Sequence, residues 1–424
     1  MTRRTNLSGR GVAACASGNV LEWYDFTVYG FIAPILAQKF FPTDDPVASL
    51  LAAFAVLAVG YAARPVGSIV FGHVGDRIGR KPAMIWSVAI MGVGSVSIGL
   101  LPDYDSIGIA APVLLILIRI MQGFAVAGEY TASGVLVVEE ASSPSRFLIG
   151  SIVPFAMMWG CVLGAGVPAA VSTILPTEVM QDWGWRLPFF VGGMVAMTSV
   201  VLRRNLSESS AISAAPASRG SPVFAALSGY WRQILAMIGL MFPAAVIYYV
   251  IFVYAASDLT RRMHVSSTAA LDISTSNLAI IAVLVLLFGY LADRFGFRLV
   301  LFVAGVTTLF GAYPLWGLMH HSNLSLVFLG QLGFSVLNAV SWSLSLTTLS
   351  GLVPPQVRCS AVAIGYNTSM AIFGGTTPFF ATYLVSRTGD DFAPAYYVIA
   401  ATVVSLAVIA SLPKSLPHWR ADEG

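Results

Sequence analysis

The chain has 424 residues, of which 57% are apolar and only 10% are charged. Because roughly a quarter of the residues in soluble domains are charged, most of this surface must face lipid. The formal net charge is only +3, so nothing favours a nucleic-acid partner and we expect none. The three cysteines, Cys15, Cys161 and Cys359, have neither a metal-like spacing nor a disulfide framework, so we expect no metal and no cofactor.

A short basic segment, residues 1–10, precedes the first apolar stretch. This stretch contains Glu22 and Asp25, which indicates a spanning helix and not a cleavable signal sequence. A membrane span needs about 20 apolar residues, and on that scale we predict an all-α integral membrane protein with twelve transmembrane helices. The predicted spans are 17–41, 47–71, 83–101, 109–138, 147–172, 186–204, 232–258, 273–292, 299–319, 322–350, 359–386 and 393–413.

One polar segment, residues 205–231, interrupts the apolar sequence near its middle. It contains Ser207, Glu208, Ser209, Pro216, Ser218, Arg219 and Pro222, and we interpret it as a cytoplasmic linker. The linker divides the chain into an N-terminal six-helix bundle at 1–204 and a C-terminal six-helix bundle at 232–424.

A charged loop occurs twice, each time between two apolar spans. The two copies are separated by 217 positions, about half the chain, which indicates two similar halves and is a common plan of transporters. The first copy contains Gly72, Asp76, Arg77, Gly79 and Arg80, and the second contains Gly289, Asp293, Arg294 and Gly296.

Lysine and arginine residues are distributed unevenly among the connections. The N-terminus, the even-numbered connections and the C-terminal tail carry sixteen, the odd-numbered connections carry five, and Arg64 and Arg119 remain inside the membrane. Basic loops stay on the cytoplasmic side of a membrane. We therefore expect a multi-pass protein of the bacterial inner membrane with both termini in the cytoplasm.

Six short motifs occur in order between the first span and the seventh. They are Gly18–Phe26, Ala63–Gly67, Gly72–Lys81, Arg119–Gly123, Gly128–Tyr130 and Trp183–Phe189. As a set they resemble the major facilitator superfamily and, more specifically, its metabolite:proton symporter family, which includes citrate, α-ketoglutarate, shikimate and proline/betaine carriers. The resemblance implies proton-coupled uptake of a small polar metabolite through a central cavity between two six-helix halves.

The sequence departs from that family pattern in three places. The second loop has Phe297 where the first has Arg80. Ala127 stands where many members have a second glycine before the Gly128-Glu129 pair. The tail after Pro413 lacks the long coiled-coil extension of the osmosensing betaine carriers, and we take this as evidence against that branch.

The resemblance also implies a role for the repeated loops in gating. Asp76 would then belong to a latch that pairs the two halves when the carrier is open outward, with Glu139 and Glu140 as its candidate partners. The alternative is that the loop charges only set the orientation in the membrane. The gating residues under this hypothesis are Gly72, Asp76, Arg77, Gly79, Arg80, Asp293 and Arg294.

Ionisable side chains within a span are costly unless they are paired or hydrated. In one interpretation, Arg64 neutralises Glu22 or Asp25 and the charges only hold helices together. In the other, at least one carboxylate lacks a permanent cation and carries the transported proton. Because Glu22, Asp25 and Glu129 face only Arg64 and Arg119, we favour the second, with Asp25 as the first candidate, Glu129 as the second and Glu22 as a structural partner.

Arg119 is the only cation predicted near the membrane midplane. Its guanidinium can bind a carboxylate through two parallel hydrogen bonds, although a generic role in proton relay or packing is the alternative. Polar residues on the same helical faces, or on the facing helices of the second half, complete the predicted substrate site, and each could instead form a helix–helix hydrogen bond. They are Tyr29, Gln122, Asn338, Trp342, Tyr366 and Asn367.

The function predicted from these features is a proton-coupled symporter that imports a small organic carboxylate by alternating access. A mono- or dicarboxylate is favoured over a tricarboxylate because the pocket would hold one permanent cation. The alternatives are a proton symporter for a proline- or betaine-like zwitterion, and a uniporter or exporter of the same fold. No constellation of His, Asp and Ser supports catalysis, so we do not expect an enzyme, and we expect a monomer in the lipid bilayer.

Overall fold

The structure is a computed structural model, and it describes residues 9–141, 144–204, 221–255, 258–259 and 267–419. The regular secondary structure among these residues consists of helices, without a strand. Twelve long helices follow one another along the chain. They are α1 (Gly9–Phe40), α2 (Pro46–Arg77), α3 (Arg80–Leu100), α4 (Ala110–Glu140), α5 (Ile152–Ile174), α6 (Leu187–Arg204), α7 (Trp231–Tyr249), α8 (Ser267–Phe295), α9 (Phe297–Met319), α10 (Leu324–Gly351), α11 (Arg358–Ser369 and Thr377–Thr388) and α12 (Ala393–Ser411).

Two of the long helices include a π-helical turn. α7 continues through Val250–Tyr254, and Met370–Gly374 follows the first part of α11. Such turns insert one extra residue into a helix and are frequent at functional sites. The remaining helical segments are short: Tyr104–Ile107, Arg146–Gly150, Thr177–Asp182, the 3-10 turn Gly184–Arg186, and Pro222–Gly229.

Ten helical stretches among the described residues are long and apolar enough to cross a membrane. α1 and α11 complete the twelve. α1 contains Glu22 and Asp25, which lower its apolarity, and each part of α11 has only 12 residues. The prediction of twelve transmembrane helices is therefore confirmed, although α1 begins at Gly9, eight positions before the predicted start.

The predicted linker includes a helix that the sequence interpretation missed. Residues 205–220 lie outside the described part of the chain, but Pro222–Gly229 is helical. Ser221 caps this helix by accepting a hydrogen bond from the backbone amide of Phe224 at 3.5 Å, and proline stands in the first turn. The helix packs against α2 and α11, so it contacts both halves.

The helices of each half pack in a similar order. In the first half α1 packs against α5, α2 against α4, and α3 against α4 and α6; in the second, α7 packs against α12, α8 against α10, and α9 against α10 and α12. The halves meet chiefly where α2 contacts α11 and where α5 contacts α8. The face at which α1 begins and α12 ends also carries both repeated loops, and we call it the terminal face.

α2 and α4 cross closely because each has a glycine at the crossing point. A Cβ at Gly67 would overlap the backbone oxygen of Phe124, and one at Gly123 would overlap the backbone oxygen of Gly60. The crossing brings the guanidinium of Arg64 on α2 and that of Arg119 on α4 to the same aromatic ring, Phe26 of α1.

Candidate transport site

Asp25 is buried in the first half and is held by neutral hydrogen-bond donors. Its Oδ1 accepts from the hydroxyl of Ser95, and its Oδ2 accepts from Nε2 of Gln122 at 2.7 Å. Gln122 in turn accepts from Nη1 of Arg119 at 3.0 Å. Within the described ranges no basic side chain forms an ion pair with Asp25. Asp25 is thus connected to a cation only through an amide.

Glu22 on α1 and Arg64 on α2 form a buried pair. Their closest atoms, Oε1 of Glu22 and Nη2 of Arg64, are 3.5 Å apart. Neither the carboxylate oxygens of Glu22 nor the guanidinium nitrogens of Arg64 have a hydrogen-bond partner among the described residues. Aromatic rings surround the guanidinium instead, with Tyr61 at 4.5 Å, Phe26 at 4.9 Å and Trp23 at 5.9 Å from its Cζ.

Glu129 has a permanent cation that the sequence interpretation did not count. Arg203 donates to both carboxylate oxygens of Glu129, at 2.7 and 2.6 Å, and also to the backbone oxygens of Ala14, Cys15 and Met84. Arg203 lies at the end of the predicted sixth span, and its side chain is fully buried. The prediction that three carboxylates face only two arginines is therefore wrong, because the packing of α6 against α1 and α3 brings Arg203 to Glu129.

Arg119 is buried against the ring of Tyr29, with its Cζ 3.8 Å from the ring centroid. Its Nε and Nη2 have no hydrogen-bond partner in the described part of the chain. The hydroxyl of Tyr29 donates to the backbone oxygen of Ala53 at 3.0 Å, which fixes the ring. Arg119 therefore joins the Asp25 network through Nη1 and keeps donors for another acceptor.

A cluster of aromatic residues joins the two halves at the centre of the protein. It consists of Trp23, Tyr130, Tyr248, Trp342 and Tyr366, and we call it the central aromatic cluster. The ring of Trp342 lies 6.2 to 6.4 Å from the other four, and Tyr130 stacks on Tyr366 at 4.5 Å. The indole nitrogen of Trp342 and the hydroxyl of Tyr366 have no hydrogen-bond partner among described residues.

The two predicted asparagines lie in different surroundings. Asn338 is fully buried, and neither its side-chain oxygen nor its nitrogen has a hydrogen-bond partner within the described residues. Asn367 donates from Nδ2 to the backbone oxygens of Ala363 at 2.9 Å and Ala127 at 3.3 Å. Asn338 thus retains hydrogen-bonding capacity for a ligand, whereas the amide of Asn367 already links α11 to α4.

Asp76 connects the two halves at the terminal face. Its Oδ1 accepts from the backbone amide of Cys359 at 2.9 Å, and its Oδ2 accepts from that of Ser360 at 2.7 Å. These amides belong to the first turn of α11, where they lack partners within the helix and where a negative charge is favoured. A Cβ at Gly72 would lie 2.8 Å from Cα of Ser360, so this contact requires a glycine.

Arginines reinforce this contact. Arg80 donates to Oδ1 of Asp76 at 2.8 Å and to Glu139 at 3.1 Å. Arg358, from the second half, donates to the same oxygen of Glu139 at 3.0 Å. Of the two candidate partners named from the sequence, Glu139 therefore lies at the junction. Arg77 is exposed.

The second copy of the loop makes the corresponding contact, but here the aspartate belongs to the second half and the amides belong to the first. Asp293 accepts hydrogen bonds from the backbone amides of Phe147 and Leu148, both at 2.9 Å, at the start of the short helix before α5. Gly79 and Gly296 adopt positive φ angles of 140° and 89°, which only glycine tolerates easily. Arg294 is exposed. The two aspartates tie the halves together, and the terminal face is closed.

Several residues at the centre were not predicted from the sequence. Trp23 and Tyr130 stand inside motifs that were used only to recognise the family, beside Glu22 and Glu129. Tyr61 does not stand next to a charged residue in the sequence, and Ser95 is one of many serines in the predicted spans. A side chain's place in a contact between helices depends on helix rotation, which a single sequence leaves open.

Comparison with known proteins identifies the family. Residues 11–212 match the family described as Sugar (and other) transporter, and residues 237–420 match the Major Facilitator Superfamily. The chain is 35% identical over 415 residues to the glycine betaine/proline/ectoine/pipecolic acid transporter OusA of Dickeya dadantii, covering 94% of this chain and 81% of OusA. The chain belongs to the major facilitator superfamily. The proline/betaine transporter of Escherichia coli is 34% identical over 415 residues, covering 94% of this chain and 82% of that protein.

Solved structures agree with this assignment to a family of multi-pass membrane transporters. The proton:xylose symporter XylE bound to 6-bromo-6-deoxy-D-glucose has a TM-score of 0.80 and 17% identity, covering 97% of this chain and 98% of XylE. The inward-open conformation of XylE from E. coli has a TM-score of 0.69 and 16% identity over 97% and 98%. These likenesses show the fold.

Proposed function

We propose that this transporter is a proton-coupled symporter for a small zwitterion of the proline or betaine type. The relatives named for proline and betaine match it over 415 residues at 34% to 35% identity. They support the zwitterion alternative over the organic carboxylate that we predicted first. This sequence identity to proline and betaine transporters is stronger evidence than the tail after Pro413, which we took as evidence against the betaine branch.

The Glu22–Arg64 pair is the observation that carries this proposal. Its two opposite charges are buried, 3.5 Å apart, and have unused hydrogen-bonding capacity. A zwitterion can place its carboxylate on Arg64 and its ammonium towards Glu22 without changing the net charge. A dicarboxylate would bring excess negative charge into the same buried region, and burying uncompensated charge costs several kcal/mol.

The central aromatic cluster supports the same substrate class. Aromatic faces attract quaternary ammonium groups, and each such contact is worth roughly 0.5 to 2 kcal/mol. Trp23 belongs both to this cluster and to the rings around Arg64. In this proposal Arg64, and not Arg119, binds the substrate carboxylate, with Trp342, Tyr366 and Asn338 completing the site from the second half.

Proton coupling falls to Asp25 in this proposal. Glu129 is neutralised by Arg203 and Glu22 is paired with Arg64, whereas the hydrogen bonds of Asp25 within the described part of the chain come from the neutral side chains of Ser95 and Gln122. Protonation of Asp25 would weaken its link through Gln122 to Arg119. The resulting change at Arg119 would then affect Arg64 through Phe26, whose ring faces both arginines.

The orientation of the chain in the membrane and the movement of its two halves follow from the same features. We infer that the terminal face is cytoplasmic, because the even-numbered connections carry most of the lysine and arginine. The inner membrane of a bacterium is the expected location, and a monomer is the expected unit. The two six-helix halves, 1–204 and 232–424, would rock about the central site, with Asp76 and Asp293 released when the cytoplasmic side opens.

Flux measurements on purified protein in proteoliposomes test the proposal. With an inward proton gradient, labelled glycine betaine or proline should accumulate, an uncoupler should abolish accumulation, and labelled succinate should not enter. R64K should raise the KM for the zwitterion at least about tenfold, because lysine loses the planar pair of donors. The matched R119K variant should change proton-driven accumulation more than KM. Uptake of succinate without uptake of either zwitterion contradicts the proposal, and accumulation insensitive to the uncoupler contradicts its proton coupling.

A further inference from the structure

Trp419 lies between two arginines on the terminal face. The Cζ of Arg146 is 4.4 Å from the centroid of the indole, and the Cζ of Arg358 is 4.3 Å from it. The indole nitrogen donates to the backbone oxygen of Thr347 at 3.2 Å, and Trp419 is 8% exposed. Two cation–π contacts and one hydrogen bond therefore hold the side chain of Trp419 in place.

The seat for this tail is built into α10. A Cβ at Gly351, the last residue of α10, would lie 2.5 Å from the indole nitrogen of Trp419 and 2.8 Å from Cβ of Leu416. Leu416 is 4% exposed and belongs to the main hydrophobic core. Burial and the nearby Arg358 lower the pKa of His418, which disfavours a further positive charge beside the arginines. The segment fits a groove that only glycine leaves open.

Arg146 and Arg358 are each held in place by a hydrogen bond that does not involve the ring of Trp419. Nε of Arg146 donates to the backbone oxygen of Ala141 at 3.1 Å, and Nε of Arg358 donates to that of Ser350 at 2.9 Å. Arg146 belongs to the first half and immediately precedes Phe147, whose amide Asp293 binds. Arg358 belongs to the second half and immediately precedes Cys359, whose amide Asp76 binds. The indole thus bridges the residues beside both contacts between the halves.

We propose that residues 412–419, through Trp419, form a third clamp that holds the terminal face closed. Opening of this face must separate the contacts of Asp76 and Asp293, and with them Arg146 from Arg358. A single indole cannot follow both guanidinium groups, so it must leave at least one of them in every transport cycle. The clamp does not depend on which substrate is carried or on proton coupling.

The native thiol of Cys359 provides the measurement. Cys359 is 1% exposed at the closed junction, and a Cβ at Gly75 would lie 2.5 Å from its Sγ. Its alkylation by N-ethylmaleimide therefore requires the terminal face to open. Cys15, buried beside Arg203 inside the first half, reports loss of the fold. Peptide mass spectrometry on the full-length protein in nanodiscs follows both thiols in one sample.

Two apolar substitutions separate the clamp from simple packing. W419L keeps apolar bulk without an aromatic face, and W419F keeps a face without the indole donor. We expect W419L to raise the alkylation rate of Cys359 about tenfold, as the loss of two cation–π contacts implies, with Cys15 unchanged. W419F should stay within about threefold of wild type, since it keeps both cation–π contacts.

The control for losing a tryptophan near an arginine is W231L. Trp231 is 50% exposed at the start of α7, and the Cζ of Arg232 is 5.3 Å from its ring. W231L should leave the alkylation of Cys359 at the wild-type rate. The clamp is overturned if W419L alkylates like wild type, or if Cys15 and Cys359 accelerate in parallel, because the tail would then serve only the stability of the fold.

Discussion

At the level of single residues, the three buried carboxylates of the first half have different partners and should respond differently to neutralisation. Asp25 accepts hydrogen bonds from Ser95 and Gln122, so D25N preserves most of its contacts. We expect D25N to keep its thermal stability within a few degrees and to lose proton-driven accumulation about tenfold or more. Substrate exchange without a gradient should continue. Gradient-driven uptake and counterflow, measured on the same proteoliposomes, check this, and full accumulation by D25N would remove Asp25 from the proton pathway.

Glu129 should behave in the opposite way. It is bound by Arg203 through two short hydrogen bonds, and neither side chain is exposed. E129Q leaves a buried arginine without its counter-ion, which typically costs about 3 to 5 kcal/mol of stability. A marked fall in melting temperature, seen by tryptophan fluorescence, is the expected result. An E129Q protein as stable as D25N, with lost accumulation, would return Glu129 to the list of proton carriers.

The buried charges also show which single residues can be identified from the sequence and which cannot. Glu22, Asp25, Arg64, Arg119 and Glu129 could be identified because a charge deep in an apolar segment is conspicuous in any sequence. Arg203 was missed because it stands at the end of α6, where a loop arginine and a buried arginine have the same sequence surroundings. Only the packing of α6 against α1 and α3 brings it inside.

At the level of helices, the approach of α2 to α11 is one of the two contacts that close the terminal face. Alanine at Gly72 would place its Cβ 2.8 Å from Cα of Ser360, and backbone atoms cannot turn away as a flexible side chain can. We expect G72A to favour the state that is open at this face, with Cys359 alkylated several-fold faster. G60A is the matched control on the same helix, since its Cβ would meet the nearest atom at 3.4 Å. Equal alkylation of the two variants would contradict the expectation.

The helices were largely predictable and their irregularities were not. Spans of apolar residues predict transmembrane helices because each backbone polar group in lipid must bond within its own helix. The helix at Pro222–Gly229 escaped notice because eight residues amid polar sequence show no membrane signal. The π turns of α7 and α11 depend on one inserted residue each, which does not alter the apolar composition.

At the level of the whole molecule, the inverted pairing of Asp76 and Asp293 explains why one face closes as a unit. Each aspartate binds the first amides of a helix that belongs to the other half. The repeated loop in the sequence predicted two similar halves, but its helix partners could not be read from it. They lie at 147–148 and 359–360, outside the repeated segment.

A reversible covalent lock across this face tests the rocking of the halves directly. In the closed state a Cβ at Gly75 would lie 3.1 Å from Cβ of Cys359, close to the separation found in disulfides, which is about 3.5 to 4.5 Å. G75C should therefore form a disulfide with native Cys359 under mild oxidation. Transport should then stop, while substrate binding from the opposite face persists, and a reductant should restore transport. G75C combined with C359S separates the effect of the bond from that of the bulk at position 75. Undiminished transport by the oxidised, cross-linked protein would mean that substrate passes without separation of α2 from α11.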